Sequence, residues 1–179
     1  VKSLLALARA IDALNDGFAV IAKWAVFAAC FVSAANAFVR YGFDYSSNAY
    51  LEIQWYLFAA CVMFGAAQVL RVNEHVRVDL LYARYPARVK VLVDLMGLTL
   101  FLLPMAVLIL WLSWPMFVDQ FMSGERSSNA GGLVRWPVTA TIPLGLALLL
   151  LQGLAEIVKR IGWLLDVHEM DMHYERPLQ

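Results

Sequence analysis

Along the chain, long apolar windows alternate with short polar breaks. Four windows, near residues 18–39, 50–70, 89–118 and 137–161, are predominantly apolar. At about 1.5 Å per helical residue, each can cross a hydrocarbon core of about 30 Å. The pattern predicts four transmembrane helices in a single membrane domain over residues 1–179. Ahead of the first window, Leu4, Leu7, Ile11, Leu14 and Phe18 recur at three- and four-residue steps, with Lys2, Arg9, Asp12 and Asp16 elsewhere around the helix. That stripe predicts an amphipathic helix over residues 1–16, lying in the membrane interface before the chain turns inward. The closing stretch, 162–179, is polar and reads as a tail.

The third window is the longest, and as a continuous helix it would measure about 45 Å, so it must tilt, kink or protrude. Pro104 offers a kink near its middle, and Pro115 loosens its far end. The fourth opens on Trp136, an interface anchor, and Pro137, whose missing N–H costs nothing in a first helical turn. Between the second and third windows stands "RVNEHVRVDLLYARYP", residues 71–86, where Val78, Leu81, Tyr82 and Tyr85 fit a short helix with Asp79 as its N-cap and Pro86 at its end. The expected fold is all-α: four transmembrane helices, an N-terminal interfacial helix, and a short amphipathic cytoplasmic helix between spans two and three.

Composition agrees with lipid as the main solvent: 62% of residues are hydrophobic and 16% charged. The formal net charge is zero, so no global field favours nucleic acid, and the distribution of charge carries the information. Most lysines and arginines fall at the N-terminus, in the loop between spans two and three, and at the C-terminal exit and tail; only Arg40, Arg126 and Arg135 fall in the other two loops. The positive-inside rule then puts both termini in the cytoplasm. Arg71, Arg77, Arg84 and Arg88 are the candidate contacts to lipid headgroups at that face.

Ala25, Ala29, Ser33 and Ala37 repeat every four residues, a ridge of small side chains on span one, and Cys61 and Gly65 repeat the spacing on span two. Close helix approach in lipid needs such ridges, so these are the candidate packing positions, against span two or another subunit. In the loop "MSGERSSNAGGLVRWP", residues 122–137, three glycines and several turn-formers suit a defined excursion. Glu125, Arg126, Arg135 and Trp136 make it a candidate contact loop on the periplasmic side.

Glu52 and Asp94 lie near the rims of their spans, where they read as partners for headgroups, backbone or a neighbouring helix, with a proton or ion site as the alternative. His75, His168 and His173 all lie outside the spans, which disfavours a haem anchor. A metal site at His168 and His173 with neighbouring acids is the weaker alternative to a plain polar tail. No catalytic residue, substrate site, metal or cofactor is expected. An autonomous oligomeric channel or carrier using Glu52, Asn36 and Asp94 remains a second reading of the same residues.

Three stretches carry a family resemblance: "GAAQVLRVNEHVRVDLLYARYP", "GERSSNAGGLVRWP" and "IPLGLALLLLQGLAEIVK". Together with the four-span layout from about residue 15 to 160, they resemble the small membrane subunit, DctQ or SiaQ type, of the TRAP (tripartite ATP-independent periplasmic) transporters. Ala130 and Val134 stand where that family often has proline. The resemblance implies a non-enzymatic scaffold in the bacterial inner membrane, bracing a large elevator-type subunit (DctM or SiaM type). That subunit would carry out sodium-driven uptake of an organic acid, a carboxylate, delivered by a periplasmic binding protein.

Overall fold

The computed structural model describes residues 2–45, 47–73 and 85–168. They form α1 (Lys2–Phe43), α2 (Asn48–Arg71), α3 (Ala87–Met96), a π-helical segment (Gly97–Leu102), α4 (Leu103–Ser123) and α5 (Trp136–Leu164). The third span, Ala87–Ser123, is continuous through α3, the π segment and α4, so four helices are long and apolar enough to cross a membrane. The chain is a multi-pass membrane protein. The short amphipathic helix expected around Val78 to Tyr85, with Arg77, Arg84 and Asp79, falls almost wholly on residues 74–84, outside the described residues.

Helix ends follow local chemistry. Ser47 caps α2, its hydroxyl accepting the Ala49 N–H at 3.3 Å. At the other end of α2, Asn73 takes φ 60°, a left-handed conformation that asparagine tolerates. Gly124, at φ 63°, ends α4. In the third span the irregularity sits one turn before the expected kink. Proline removes one backbone bond and crowds the carbonyl four residues back, and the Gly97–Leu102 π segment widens the helix just ahead of Pro104, which falls in the first turn of α4.

One expectation is corrected. Residues 2–16 form no separate interfacial helix: they open α1, a single helix of 42 residues. It is about 63 Å long, roughly twice the hydrocarbon core. No proline or cap interrupts it, and its polar side finds partners in the protein instead of water, as described below.

α5 is the central helix. Half of its most apolar stretch is buried within the chain, against 17% or less in the other spans. α1 and α2 pack on each other and on α5, and the third span packs mainly against α5 alone. Two glycines of α5 set these distances on two different neighbours. A Cβ at Gly145 would lie 2.6 Å from the Met63 carbonyl oxygen of α2, and one at Gly153 would lie 3.1 Å from Leu102 and Leu103. Backbone can approach that closely only without a side chain.

Candidate functional site

Polar side chains within the bundle gather at its two ends. At the end where α1 begins and α5 finishes, Gln152 of α5 is fully buried and bonded on both sides of its amide. Its Oε1 accepts from Asn15 Nδ2 at 2.7 Å, and its Nε2 donates to Asp12 Oδ1 at 2.9 Å and to Glu156 Oε1 at 3.0 Å. One turn on, Lys159 Nζ donates to the same two carboxylates, at 2.7 Å each. Arg160 Nη1 donates to Glu156, while its Nε and Nη2 reach Asp94 Oδ2 on α3 at 3.2 Å each. From α2, Arg71 donates to the Asp16 carboxylate and, at 3.3 Å, to the Asp12 carbonyl.

Helical spacing explains how one helix serves two others. Gln152, Glu156, Lys159 and Arg160 are four, three and one residues apart, so they line adjoining faces of α5 toward α1 and α3. Four carboxylates (Asp12, Asp16, Asp94 and Glu156) meet three cations (Arg71, Lys159 and Arg160). A buried charge is tolerable only with such partners, and here every one has at least one. The network joins all four spans.

The opposite end is closed by a loop. Residues 125–135 fold back on themselves: Ser127 N–H donates to the Leu133 carbonyl at 2.9 Å, and Arg135 N–H to the Glu125 carbonyl at 2.9 Å. Arg126 and Val134 thus face each other as an isolated antiparallel pair. Neither bond uses the Val134 N–H, so the hairpin closes without that donor. The Glu52 carboxylate of α2, 4% exposed, clamps the hairpin, accepting from Leu133 N–H at 2.7 Å and Asn129 Nδ2 at 2.8 Å. Asn48 Nδ2 donates to the Ala130 carbonyl at 3.2 Å, and the Tyr56 hydroxyl donates to the Val134 carbonyl at 3.0 Å.

The positions singled out from sequence fall as follows. Glu125 and Arg135 pair at 2.7 Å across the neck of the hairpin, both about half exposed. Arg126 donates to the Gly132 carbonyl at 3.2 Å, and Trp136 meets Phe121 edge-on at 5.4 Å between ring centres. Arg71 is turned toward Asp16, whereas Arg88 is exposed; Arg77 and Arg84 lie outside the described residues. Along the ridge of α1, Ala25 is buried, Ala29 is half-buried, and Ser33 and Ala37 are exposed. Gly65 faces Ala22 across the α1–α2 contact, and Cys61 is half-buried. Of the rim carboxylates, Glu52 holds loop backbone and Asp94 holds a neighbouring helix.

Asn15, Gln152 and Asn129 did not stand out in the sequence. Gln152 had a signal: a lone amide inside an apolar span, one turn before Glu156, needs a buried partner. Asn129 had none, because its role depends on where the hairpin folds.

A sequence model of the family described as "Tripartite ATP-independent periplasmic transporters, DctQ component" matches residues 29–162. No curated protein and no solved structure matches the chain.

Proposed function

The chain belongs to the DctQ family of tripartite ATP-independent periplasmic transporter components, and from that premise we propose that it is the scaffold subunit of such a transporter. It sits in the bacterial inner membrane with both termini cytoplasmic. It braces a large elevator-type subunit for sodium-driven uptake of an organic acid, a carboxylate, delivered by a periplasmic binding protein.

The observation that carries this reading is where the polar groups go. Those that bond from helix to helix or to the hairpin are gathered at the two ends, hydroxyls within the spans return to their own helices, and Asn15 Oδ1, Asn36 Oδ1 and Gln120 Oε1 are buried without a hydrogen-bond partner among the described residues. Ser113 donates to the Leu110 carbonyl at 3.1 Å, Thr139 to that of Trp136 at 3.1 Å and Thr141 to that of Val138 at 2.7 Å. A helix unit pinned at both ends and apolar between them suits a fixed wall better than a moving carrier. The exposed half of the small-residue ridge, Ser33 and Ala37, leaves a place where a helix of the large subunit can approach closely. The hairpin charges Glu125 and Arg135, exposed at the other end, suit contact with the binding protein or the large subunit.

Deleting this chain should abolish uptake by cells that keep the other two components, and the chain should co-purify with the large subunit. Full sodium-driven uptake by the large subunit without it would refute an essential bracing role. Sustained flux through the chain alone in liposomes would point instead to an autonomous carrier.

A further inference from the structure

Beside the first polar set lies a cleft of about 440 Å³, between the first turns of α1 and the turn that follows α5. That is within the range of ligand clefts, about 300 to 1,000 Å³. Its far wall depends on Gly162. The Gly162 carbonyl accepts the Val167 N–H at 2.9 Å and the His168 N–H at 3.2 Å, and Asp166 takes φ 55°, which folds the turn back toward α1. A Cβ on Gly162 would lie 3.2 Å from His168 Cβ and 3.5 Å from Leu5, so glycine lets the turn and α1 close on each other.

The lining is cationic and apolar together. Lys2 and Arg9, two turns apart on α1, and His168 from the turn all face the cleft, with Leu5 and Val167 as its apolar walls. At its base Asp12, an acid that also lines the cleft, is paired with Lys159, which in turn meets Glu156, so these charges are already satisfied. Lys2 and Arg9 have no acid partner among the described residues, which leaves an unbalanced positive field in a partly enclosed space. The surface beside it is greasy: Leu4 and Leu7 on α1, and Leu165 and Val167 on the turn, are all 46% exposed or more. A soluble anion has no use for those side chains, but acyl chains do.

We propose that this cleft holds the phosphate of an anionic phospholipid headgroup, with Lys2, Arg9 and His168 as its polar contacts and the leucines on either side as the path for the acyl chains. Basic clefts between helices at membrane surfaces suit such headgroups, each Lys or Arg adding to the attraction. The site is separate from the arginines around residues 71–88 and does not depend on which partner the spans brace.

The test is lipid binding by the full purified chain in mild detergent, read by native mass spectrometry with phosphatidylglycerol, phosphatidylcholine or inorganic phosphate. The expected result is preferential retention of phosphatidylglycerol, weakened by about tenfold or more in the Lys2→Glu/Arg9→Glu double variant. Arg40→Glu, a single charge reversal at the opposite end of α1, should leave it within about twofold. Because Lys2 and Arg9 are exposed, the double variant should keep the parent's unfolding temperature. Gly162→Val, which crowds His168 and Leu5, should weaken phosphatidylglycerol with both cations in place. Unchanged phosphatidylglycerol binding in the double variant would overturn the proposal, as would an equal loss in Arg40→Glu. Equal binding of phosphatidylcholine would remove the anionic selectivity, and inorganic phosphate held as tightly as the lipid would remove the membrane component.

Discussion

At the end where α1 begins and α5 finishes, four helices are tied by side chain to side chain, and most charges there have two partners: Lys159 reaches Asp12 and Glu156, and Arg160 reaches Glu156 and Asp94. At the hairpin end one carboxylate, Glu52, ties a backbone N–H and an amide of a loop to α2, the other bonds from α2 are neutral, and the loop's own charges, Glu125, Arg126 and Arg135, bond within the loop. The first arrangement fixes helices relative to one another, and the second fixes a loop relative to one helix. A defect in the first should therefore spread through the bundle, whereas a defect in the second should stay local.

Arg160→Ala is the strongest test of that difference. Arg160 is 5% exposed and serves two acids, so its loss takes a cation from both Asp94 and Glu156. Breaking a buried pair by deleting one partner costs about 3–5 kcal/mol. The variant should show a large drop in unfolding temperature in detergent, with secondary structure loosening across all four spans. A drop no larger than that of a hairpin variant would remove the claimed asymmetry.

Glu52→Ala comes next. Bonds to a charged group contribute about 1.5–3 kcal/mol each, and two are lost, but the change falls on a surface loop. Hydrogen exchange should speed up at Leu133 and its neighbours in the hairpin while the helix cores hold their protection. Glu52→Gln, which keeps one acceptor oxygen but places a donor against a donor, should fall between the two. Faster exchange throughout α5 in Glu52→Ala would mean that the hairpin end also governs the bundle.

Arg71→Ala tests redundancy. Its partner Asp16 is about half exposed, and Asp12 keeps Lys159 and Gln152, so the loss should be about 1 kcal/mol or less. Combined with Lys159→Ala it should cost more than the two single losses added, because Asp12 would then keep only an amide. Strict additivity would show that the two cations do not share that carboxylate in solution.

Most of the span layout was legible in the sequence, because length and apolarity are set by the bilayer: α2 runs Asn48–Arg71 against an expected 50–70, and α5 runs Trp136–Leu164 against 137–161. The start of α1 was not. The stripe of Leu4, Leu7 and Leu14 was correctly seen as one face, but periodicity alone does not say which face meets the protein. Here those leucines are exposed, and the polar side with Asp12, Asn15 and Asp16 turns inward to α5 and α2. In a membrane the usual rule can invert, since lipid accepts the apolar face and buried partners satisfy the polar one. Glu156 and Arg160 stand four residues apart, a spacing that pairs them on one helix face, whereas the bonds from Asp12 to Lys159 and from Glu52 to Leu133 span 147 and 81 residues and leave no local trace.

The smallest effect separates holding from contacting within the hairpin itself. Glu125 and Arg135 are 43% and 50% exposed, and an ion pair in that setting contributes about 0.2–1 kcal/mol, screened further by salt. The neck has a second tie, the backbone bond from Arg135 N–H to the Glu125 carbonyl at 2.9 Å, which a side-chain change leaves in place. Arg135→Ala should therefore shift the unfolding temperature slightly at low salt and not measurably at about 1 M, where charges are screened within about 3 Å. If the exposed pair serves a partner, the same variant should lower uptake by the assembled transporter at substrate-protein concentrations below saturation, with the hairpin's exchange protection unchanged. A loss of protection at Leu133 as large as that of Glu52→Ala would make Arg135 a second clamp, and the hairpin end would then be held at two charged points.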